Sequence, residues 1–457
     1  MRVFNCFLPL IDSIRTRIGF VRRNANYRNG FPNFCLLAAA AALLLESNAR
    51  ADLDFFRIDY DLNLVWPSAV TTGDFDGDGI EDLAVNGRLG DVTILFGMGD
   101  GSFSPSGQFF TGGYESYSIV SADFNGDGFA DLVTPDPIYD ELVLLYGDGN
   151  GTFVEAARVD VESGYSLVAA DFDGDGFCDL AVGTRSGDNV TVLLNAGNGE
   201  FAERVQYPTT ERVTWIEVAD FDNDGSVDDI AASIGSFVNG QGAVKVLLGN
   251  GDGTHTDIGE MPIGDGVPRK LAAGDLDGDG IADLAIPRAT NEVTVLLGAG
   301  DGTFQMANTL TAGDDAYAVE IGDFNGDSFN DIVVTNLFEE EASLFLGIGN
   351  GEFVSQEIPD LSELFHYSII AGDFDGDGFE DFATTSTYGD GVIVFLGTAS
   401  ERILGDINFD CFVDLLDVAP FVELINSGKF DTSADINEDG VVDLLDVGPF
   451  VELLNMQ

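Results

Sequence analysis

The chain alternates short apolar runs with polar, glycine-rich breaks, at a spacing too tight for helices. Ser118, Ile119 and Val120 lead into an acidic stretch, and Asp131, Leu132 and Val133 follow it. An alternating apolar segment ending in glycine comes next, as in Glu292–Gly298, which reads Glu-Val-Thr-Val-Leu-Leu-Gly. A turn of the form G-x-G-[DN]-G-x-F then opens a fourth run, as at residues 97–103, 147–153 and 298–304. Period-two patterning punctuated by Gly, Asp and Asn roughly every ten residues predicts antiparallel hairpins and an all-β fold.

The acidic stretch is itself a repeat. The pattern D-[FL]-[DN]-x-D-[GS]-x-x-D starts at Asp74, Asp123, Asp171, Asp220, Asp275, Asp323 and Asp373, at intervals of 49, 48, 49, 55, 48 and 50 residues. Four strands in about 48 residues make one propeller blade, a unit that cannot bury its apolar face alone. Seven such stretches predict a seven-bladed β-propeller. After residues 392–397 the seventh unit lacks its final turn and strand, whereas residues 55–60 form a strand with no unit of their own. Pairing that strand onto the seventh blade would close the ring and hide both edges.

The residue types in the loop specify its chemistry. Asp74, Asp76, Asp78 and Asp82 place four carboxylates within nine residues, with Gly79 allowing a sharp turn. Like charges about 4 Å apart repel by roughly 4 kcal/mol near a protein surface. Such a loop is expected to need a cation, and all-oxygen ligation at alternating positions points to calcium.

D-F-D-G-D-G-x-x-D-L followed by L-L-G-x-G-D-G-x-F resembles the FG-GAP/VCBS repeat of bacterial secreted proteins and integrin α-subunit heads. The resemblance covers residues 52 to about 400, with both motifs recurring in register. It implies that the loop joins the first two strands of a blade and holds calcium through its four motif positions and a backbone carbonyl. The implied ligands are Asp74, Asp76, Asp78 and Asp82 in blade one, and Asp123, Asn125, Asp127 and Asp131 in blade two. Blade three offers Asp171, Asp173, Asp175 and Asp179, and blade four Asp220, Asp222, Asp224 and Asp228. Blade five offers Asp275, Asp277, Asp279 and Asp283, and blade six Asp323, Asn325, Asp327 and Asp331. Blade seven offers Asp373, Asp375, Asp377 and Asp381. Ser328 replaces the turn glycine of blade six, which should weaken that site. Asn195-Ala196 stands where Leu-Gly is usual, His255 takes a repeat phenylalanine position, and blade four carries extra residues at 233–242. That insertion is either a tolerated lengthening or a blade-specific contact.

Charge bounds the partners. The chain has 457 residues, 80 acidic and 19 basic, and a formal charge of −61. Arg2, Arg15, Arg17, Arg22, Arg23 and Arg28 precede an apolar run at 34–45 and an Ala49-Arg50-Ala51 cleavage signature, which reads as a secretory signal peptide over residues 1–51. The run is too short for a retained membrane span. Removing residues 1–51 takes seven of the basic and two of the acidic residues, leaving 12 and 78 and a net charge of −66. Nucleic acid is excluded as a partner, because phosphate binding needs a basic footprint. Cys178 and Cys411 are the two cysteines beyond the signal and lie in different predicted domains, so no disulfide framework supports the fold.

A third region begins near residue 401. Asp406, Asn408, Asp410, Asp414 and Asp417 space their oxygens as in an EF-hand loop, and Asp435, Asn437, Asp439, Asp443 and Asp446 repeat the pattern 29 residues later. Each loop enters an amphipathic helical pattern. The pair resembles a type I dockerin, and the D-L-L-D-V-x-P-F-V-E-L-[IL] wording is similar to dockerin-like tails of secreted planctomycete proteins. The resemblance implies a small α-helical, EF-hand-like module at 401–457 and a cohesin-like partner. Cys411 replaces the glycine at position six of the first loop. The apolar faces Val418, Phe421, Val422, Leu424 and Val447, Phe450, Val451, Leu453 either pack the two helices together or dock a partner.

No catalytic signature is present. His255 and His366 are the only histidines, neither beside a nucleophile motif, and His255 is expected to fill an aromatic core slot. The expectation is a non-enzymatic, secreted or cell-surface protein with about nine calcium sites, seven in the blades and two in the tail. Its propeller would bind an extracellular glycan or protein ligand, and its tail would tether it. The alternatives are a component, catalytic or accessory, of extracellular polysaccharide degradation, where two suitably spaced carboxyls suffice, or a structural matrix module.

Overall fold

The computed structural model describes residues 55–397, except 112–114, 236–239, 340, 359–360 and 362–364. The expected leader, the 401–457 module with its loop residues Asp406 to Asp446, and part of the blade-four insertion lie outside the described residues.

Strand patterning becomes seven antiparallel four-stranded sheets, so the chain is a seven-bladed β-propeller. Blade one runs Pro67–Gly73, Asp82–Gly87, Asp91–Gly97 and Phe103–Phe110, from the central channel to the rim. Blades two to six repeat this order within residues 120–160, 164–208, 213–265, 272–311 and 316–358. Burial follows position in the blade. Second strands such as Asp82–Gly87 are buried throughout, and outermost strands such as Phe153–Asp160 alternate. A strand covered on both faces by neighbouring blades reads as a continuous apolar run, and one at the rim as every second residue.

The core consists of seven apolar clusters, each shared by two adjacent blades. Leu83, Leu95 and Phe103 of blade one meet Ala383, Val392 and Val394 of blade seven in one of them. Phe124, Val133 and Leu144 of blade two meet Leu167, Leu180 and Val182 of blade three in another. Neighbours are also joined by edge-to-face rings. The loop phenylalanine of one blade packs on the turn phenylalanine of the next, as in Phe75–Phe153 at 5.7 Å and Phe221–Phe304 at 5.5 Å. His255 occupies that turn position and sits 5.4 Å from Phe172 and 5.5 Å from Tyr207, so it is an aromatic core residue as expected. Burial pulls its pKa down, and the ring shares a hydrogen bond with the Asp228 carbonyl at 3.0 Å.

The ring closes as the sequence implies. Phe55–Asp61 pairs along Gly391–Gly397, from Phe55 opposite Gly397 to Asp61 opposite Gly391. The amide of Phe103 donates to the Tyr60 hydroxyl at 2.7 Å, tying the closing strand to blade one. Replacing Tyr60 by phenylalanine should therefore cost about 1 kcal/mol; a melting curve indistinguishable from wild type would refute that tie.

The blade-four insertion lengthens a hairpin. Its third strand spans Gln241–Gly249 and its fourth His255–Asp265, with Gln241 opposite Asp265. Asn195 also has a structural use: its side-chain amide donates to the Phe124 and Cys178 carbonyls at 2.8 and 3.0 Å, and its side-chain oxygen accepts from Gly197 and Gly199.

Candidate functional site: acidic loops and the channel mouth

Each acidic loop joins the first and second strands of its blade, and one hydrogen-bond pattern shapes it. In blade one the two oxygens of Asp74 accept from the amides of Gly77 at 2.7 Å and Gly79 at 3.1 Å. Asp76 accepts from Asp78, and Asp78 from Ile80. Gly79 has φ +86°, a left-handed conformation that costs glycine little. Ser328 adopts φ +71° at this position in blade six and still donates its amide to Asp323 at 2.8 Å. The serine thus preserves the loop's shape at the cost of backbone strain.

The last aspartate acts differently. Asp82 is fully buried, and its two oxygens accept from the amides of Phe75 and Gly97, both at 2.8 Å. It fastens the loop to the far end of the third strand. Asp131, Asp179, Asp283 and Asp381 repeat both bonds. Burial, helped by Asp76 and Asp78, pushes Asp82 up to about 6 against the pull of those amides. Burial likewise lifts Asp381 to about 7.

Blade four differs from the motif spacing. Asp229, one residue beyond Asp228, accepts from Phe221 at 2.8 Å and Gly249 at 2.7 Å. An extra residue between Gly225 and the strand shifts the register by one. The sequence carried the signal, since every other loop ends in Asp followed by Leu, Ile or Phe, and here that pair is Asp229-Ile230. Asp229→Ala should destabilise the protein by about 2–4 kcal/mol, because it orphans two buried amides, and Asp228→Ala by about 1. Comparable melting points for the two variants would return the role to Asp228.

These loops fit a hard cation. Asp74, Asp76 and Asp78 bring carboxylate oxygens within 4.8 Å of one another, as do Asp275, Asp277 and Asp279. So do Asp171, Asp173 and Asp179; Asp220, Asp222 and Asp229; and Asp373, Asp375 and Asp381. Asn125 and Asn325 supply amide oxygens at the corresponding place in blades two and six. An all-oxygen, carboxylate-rich set on flexible loops suits calcium better than zinc or copper.

The opposite ends of the first strands converge on the channel. Six residues before each acidic loop stand Ser68, Tyr117, Tyr165, Thr214, Arg269, Tyr317 and Tyr367, one per blade. Tyr117 lies 5.1 Å from Tyr165 and 6.1 Å from Tyr367, and Tyr367 lies 5.2 Å from Tyr317. Rings from four blades thus meet at one mouth of the channel. Arg88 stacks over Tyr117 at 4.6 Å, Arg185 over Tyr165 at 5.1 Å and Arg269 over Tyr317 at 4.9 Å. Trp66, Phe338 and Tyr388 lie exposed nearby. Sequence reasoning missed this cluster because its members are 48 residues or more apart, although the minus-six column was readable once the loops were aligned.

Below the mouth the channel holds a cavity of about 360 Å³, lined by Thr71, Val120, Val168, Glu217, Ala272, Glu320 and Ile370 from the seven blades. Lys270 bonds Glu320 at 2.9 Å and the Ile369 carbonyl at 2.7 Å, and lies 5.6 Å from the Trp215 ring. Burial and the nearby Glu320 raise Glu217 to about 7. A raised folded-state pKa means that folding binds a proton between pH 4.5 and 7, so the ionised group opposes folding above pH 7. Glu217→Gln should raise the melting temperature at pH 8 and leave it unchanged at pH 4.5. Equal shifts at both pH values would show that the charge is not the cause.

Two family models match this chain. One, described as FG-GAP-like repeat, matches residues 65–134, 171–232, 228–286, 275–334 and 325–384, and another, FG-GAP repeat, matches 116–153. No curated protein matches. Among solved structures the chain is similar to two crystal structures of BBS1N in complex with ARL6DN, one soaked with mercury and one with lead. Identity is 12% in both, with TM-scores of 0.53 and 0.51. The first alignment covers 77% of this chain and 98% of the other, and the second 76% and 96%. At that identity the likeness shows the fold alone.

Proposed function

This chain belongs to the FG-GAP-like repeat family, and from that premise we propose that it is a secreted or cell-surface recognition protein. A propeller of this family fits a ligand-binding or adhesion-type module. The observation that carries the proposal is the division of labour between the two ends of the channel strands. At one end acidic loops of one pattern fasten each blade and, on this reading, hold calcium. At the other, the blades vary, with Ser68, Thr214 and Arg269 standing among four tyrosines, so that end is where this chain distinguishes a ligand. The ligand is a glycan or protein outside the cell, and the 401–457 region tethers the propeller as a dockerin-like module with its own two calcium loops.

The test is a pull-down from envelope and polysaccharide fractions, using the chain from residue 52 with and without 401–457, in calcium and in chelator. Capture by the propeller that survives tail removal and disappears in chelator is the expected result. Capture only through the tail would make the propeller a spacer and sink the recognition reading.

A second reading, a component of polysaccharide degradation, is favoured by one observation: Glu217 is raised to about 7 beside Glu320 in a channel of sugar-sized volume. The tyrosines at the mouth argue against it, since they narrow entry to those acids. Turnover of a polysaccharide by wild type and its loss in Glu217→Gln would establish it.

A further inference from the structure

We propose that the channel mouth binds an isolated carboxylate carried on a sugar ring, seated between Arg185 and Arg212 with the sugar lying toward Arg88. The proposal rests on the recognition reading above and names its ligand class.

Charge distribution comes first. Acidic residues outnumber basic ones 80 to 19 in this chain. Out on the blades Arg158 pairs with Glu141 at 3.1 Å, Lys245 with Asp257 at 2.6 Å and Arg288 with Glu292 at 2.6 Å, while Arg204 donates to the Asp160 carbonyl at 2.9 Å. At the mouth Arg269 is paired with Asp315 and Lys270 with Glu320, but Arg88 and Arg185 form no ion pair with an acid among the described residues. These two occupy equivalent places, fourteen residues after the first aspartate of their loops. In a protein so rich in acid, two arginines kept from carboxylates at repeat-equivalent positions indicate a site that receives its anion from elsewhere.

The geometry preserves the donors. The Arg88 and Arg185 guanidinium carbons lie over the Tyr117 and Tyr165 rings within cation–π range, a contact that uses none of their N–H donors in ion pairs. The N–H groups lie in the guanidinium plane and point outward, the arrangement that matches a carboxylate's two oxygens. Arg185, Arg212, Arg269, Lys270, Tyr165 and Tyr317 line a pocket of about 50 Å³. That volume admits a carboxylate. Like charge crowds the pocket: burial, then Arg185 and Arg269, pull Arg212 down against Tyr165 and Glu211, and Arg212 Nε donates to the Gly235 carbonyl at 3.2 Å.

The surroundings select the rest of the ligand. With a net charge of −66 beyond the leader, a polyanion is repelled at long range, whereas a single carboxylate on a neutral chain is not. The mouth presents strand ends and loops, and the edges of the first strands, which an extended peptide would join, line the channel below it. What it offers instead is rigid exposed rings, Trp66 and Tyr388 among them, on which a sugar face can rest. A uronic acid within or at the end of a neutral glycan satisfies all three constraints.

Calorimetry on the chain from residue 52, in calcium, tests this. The probes are xylo-oligosaccharides bearing one glucuronate, galacturonate-terminated neutral oligosaccharides, their methyl esters, and an acidic peptide. Either acidic sugar is expected to bind, its ester to bind at least tenfold more weakly, and Arg185→Gln to weaken the acid at least tenfold without weakening the ester. Arg185 is exposed, so the variant should melt with wild type; Arg204→Gln, on the rim of blade three, should bind as wild type does. Equal affinity for acid and ester, an unaffected Arg185→Gln, preference for the peptide, or no binding of either acidic sugar would each overturn the proposal. If those fail while propeller capture in the pull-down persists, the recognition reading stands without this ligand. If capture fails as well, both fall.

Discussion

Stripping the protein with a chelator at pH 8 is expected to lower its melting temperature by about 15 °C. At roughly 3 mM calcium and a dissociation constant of about 0.1 mM, each site contributes about 2 kcal/mol, so the five three-carboxylate clusters together contribute about 10. For a propeller of about 340 residues, roughly 0.7 kcal/mol corresponds to one degree. The effect should depend on pH, with a sign fixed by the buried aspartates. Asp82 and Asp381 have folded-state pKa values raised to about 6 and 7. The metal-free fold therefore binds protons that the unfolded chain releases, and it gains stability as pH falls from 8 toward 5. Protons and calcium compete for these carboxylates, so chelation should cost less at pH 5.5 than at pH 8. Differential scanning calorimetry at both pH values checks this, and a melt indifferent to chelator would remove calcium from the account of the blades.

Deleting residues 1–61, and with them the strand Phe55–Asp61, should be still more damaging. It takes Phe55 from Phe382 and Phe395, at 5.1 and 6.3 Å, and Ile58 and Tyr60 from the cluster joining blades seven and one. It also bares the edge of Gly391–Gly397, whose residues are all buried. A long apolar edge is a template for aggregation. The shortened chain is expected to be insoluble or oligomeric, and adding a synthetic peptide of residues 52–61 during refolding should restore some monomer. A soluble monomer with an unchanged melt, seen by size exclusion and calorimetry, would show that the ring does not depend on its closure.

How far the sequence could be read follows from which links are local. The blade count was legible because the acidic loop and glycine turn are contiguous motifs, and the closing strand because Phe55 to Tyr60 had no unit to join. His255 was legible as a core ring because it stands in the phenylalanine column. The blade-four register was not, because the spacing favours Asp228 and the choice of Asp229 depends on which carboxylate reaches Gly249 across the sheet. The mouth was least legible. Tyr117, Tyr165, Tyr317 and Tyr367 read singly as strand residues, and their meeting is a property of the closed ring. Calcium, the leader and the 401–457 module were read from motif chemistry alone, the last two from residues outside those described.

The minus-six column has a consequence for how such a protein can change. Ser68, Tyr117, Tyr165, Thr214, Arg269, Tyr317 and Tyr367 stand at one repeat position, one per blade, and Tyr317 also packs against the cluster joining blades six and seven. The ring therefore behaves like a combination lock with one dial per blade. Turning one dial is expected to alter the mouth and the rings it touches, and to leave the blades beneath as they were.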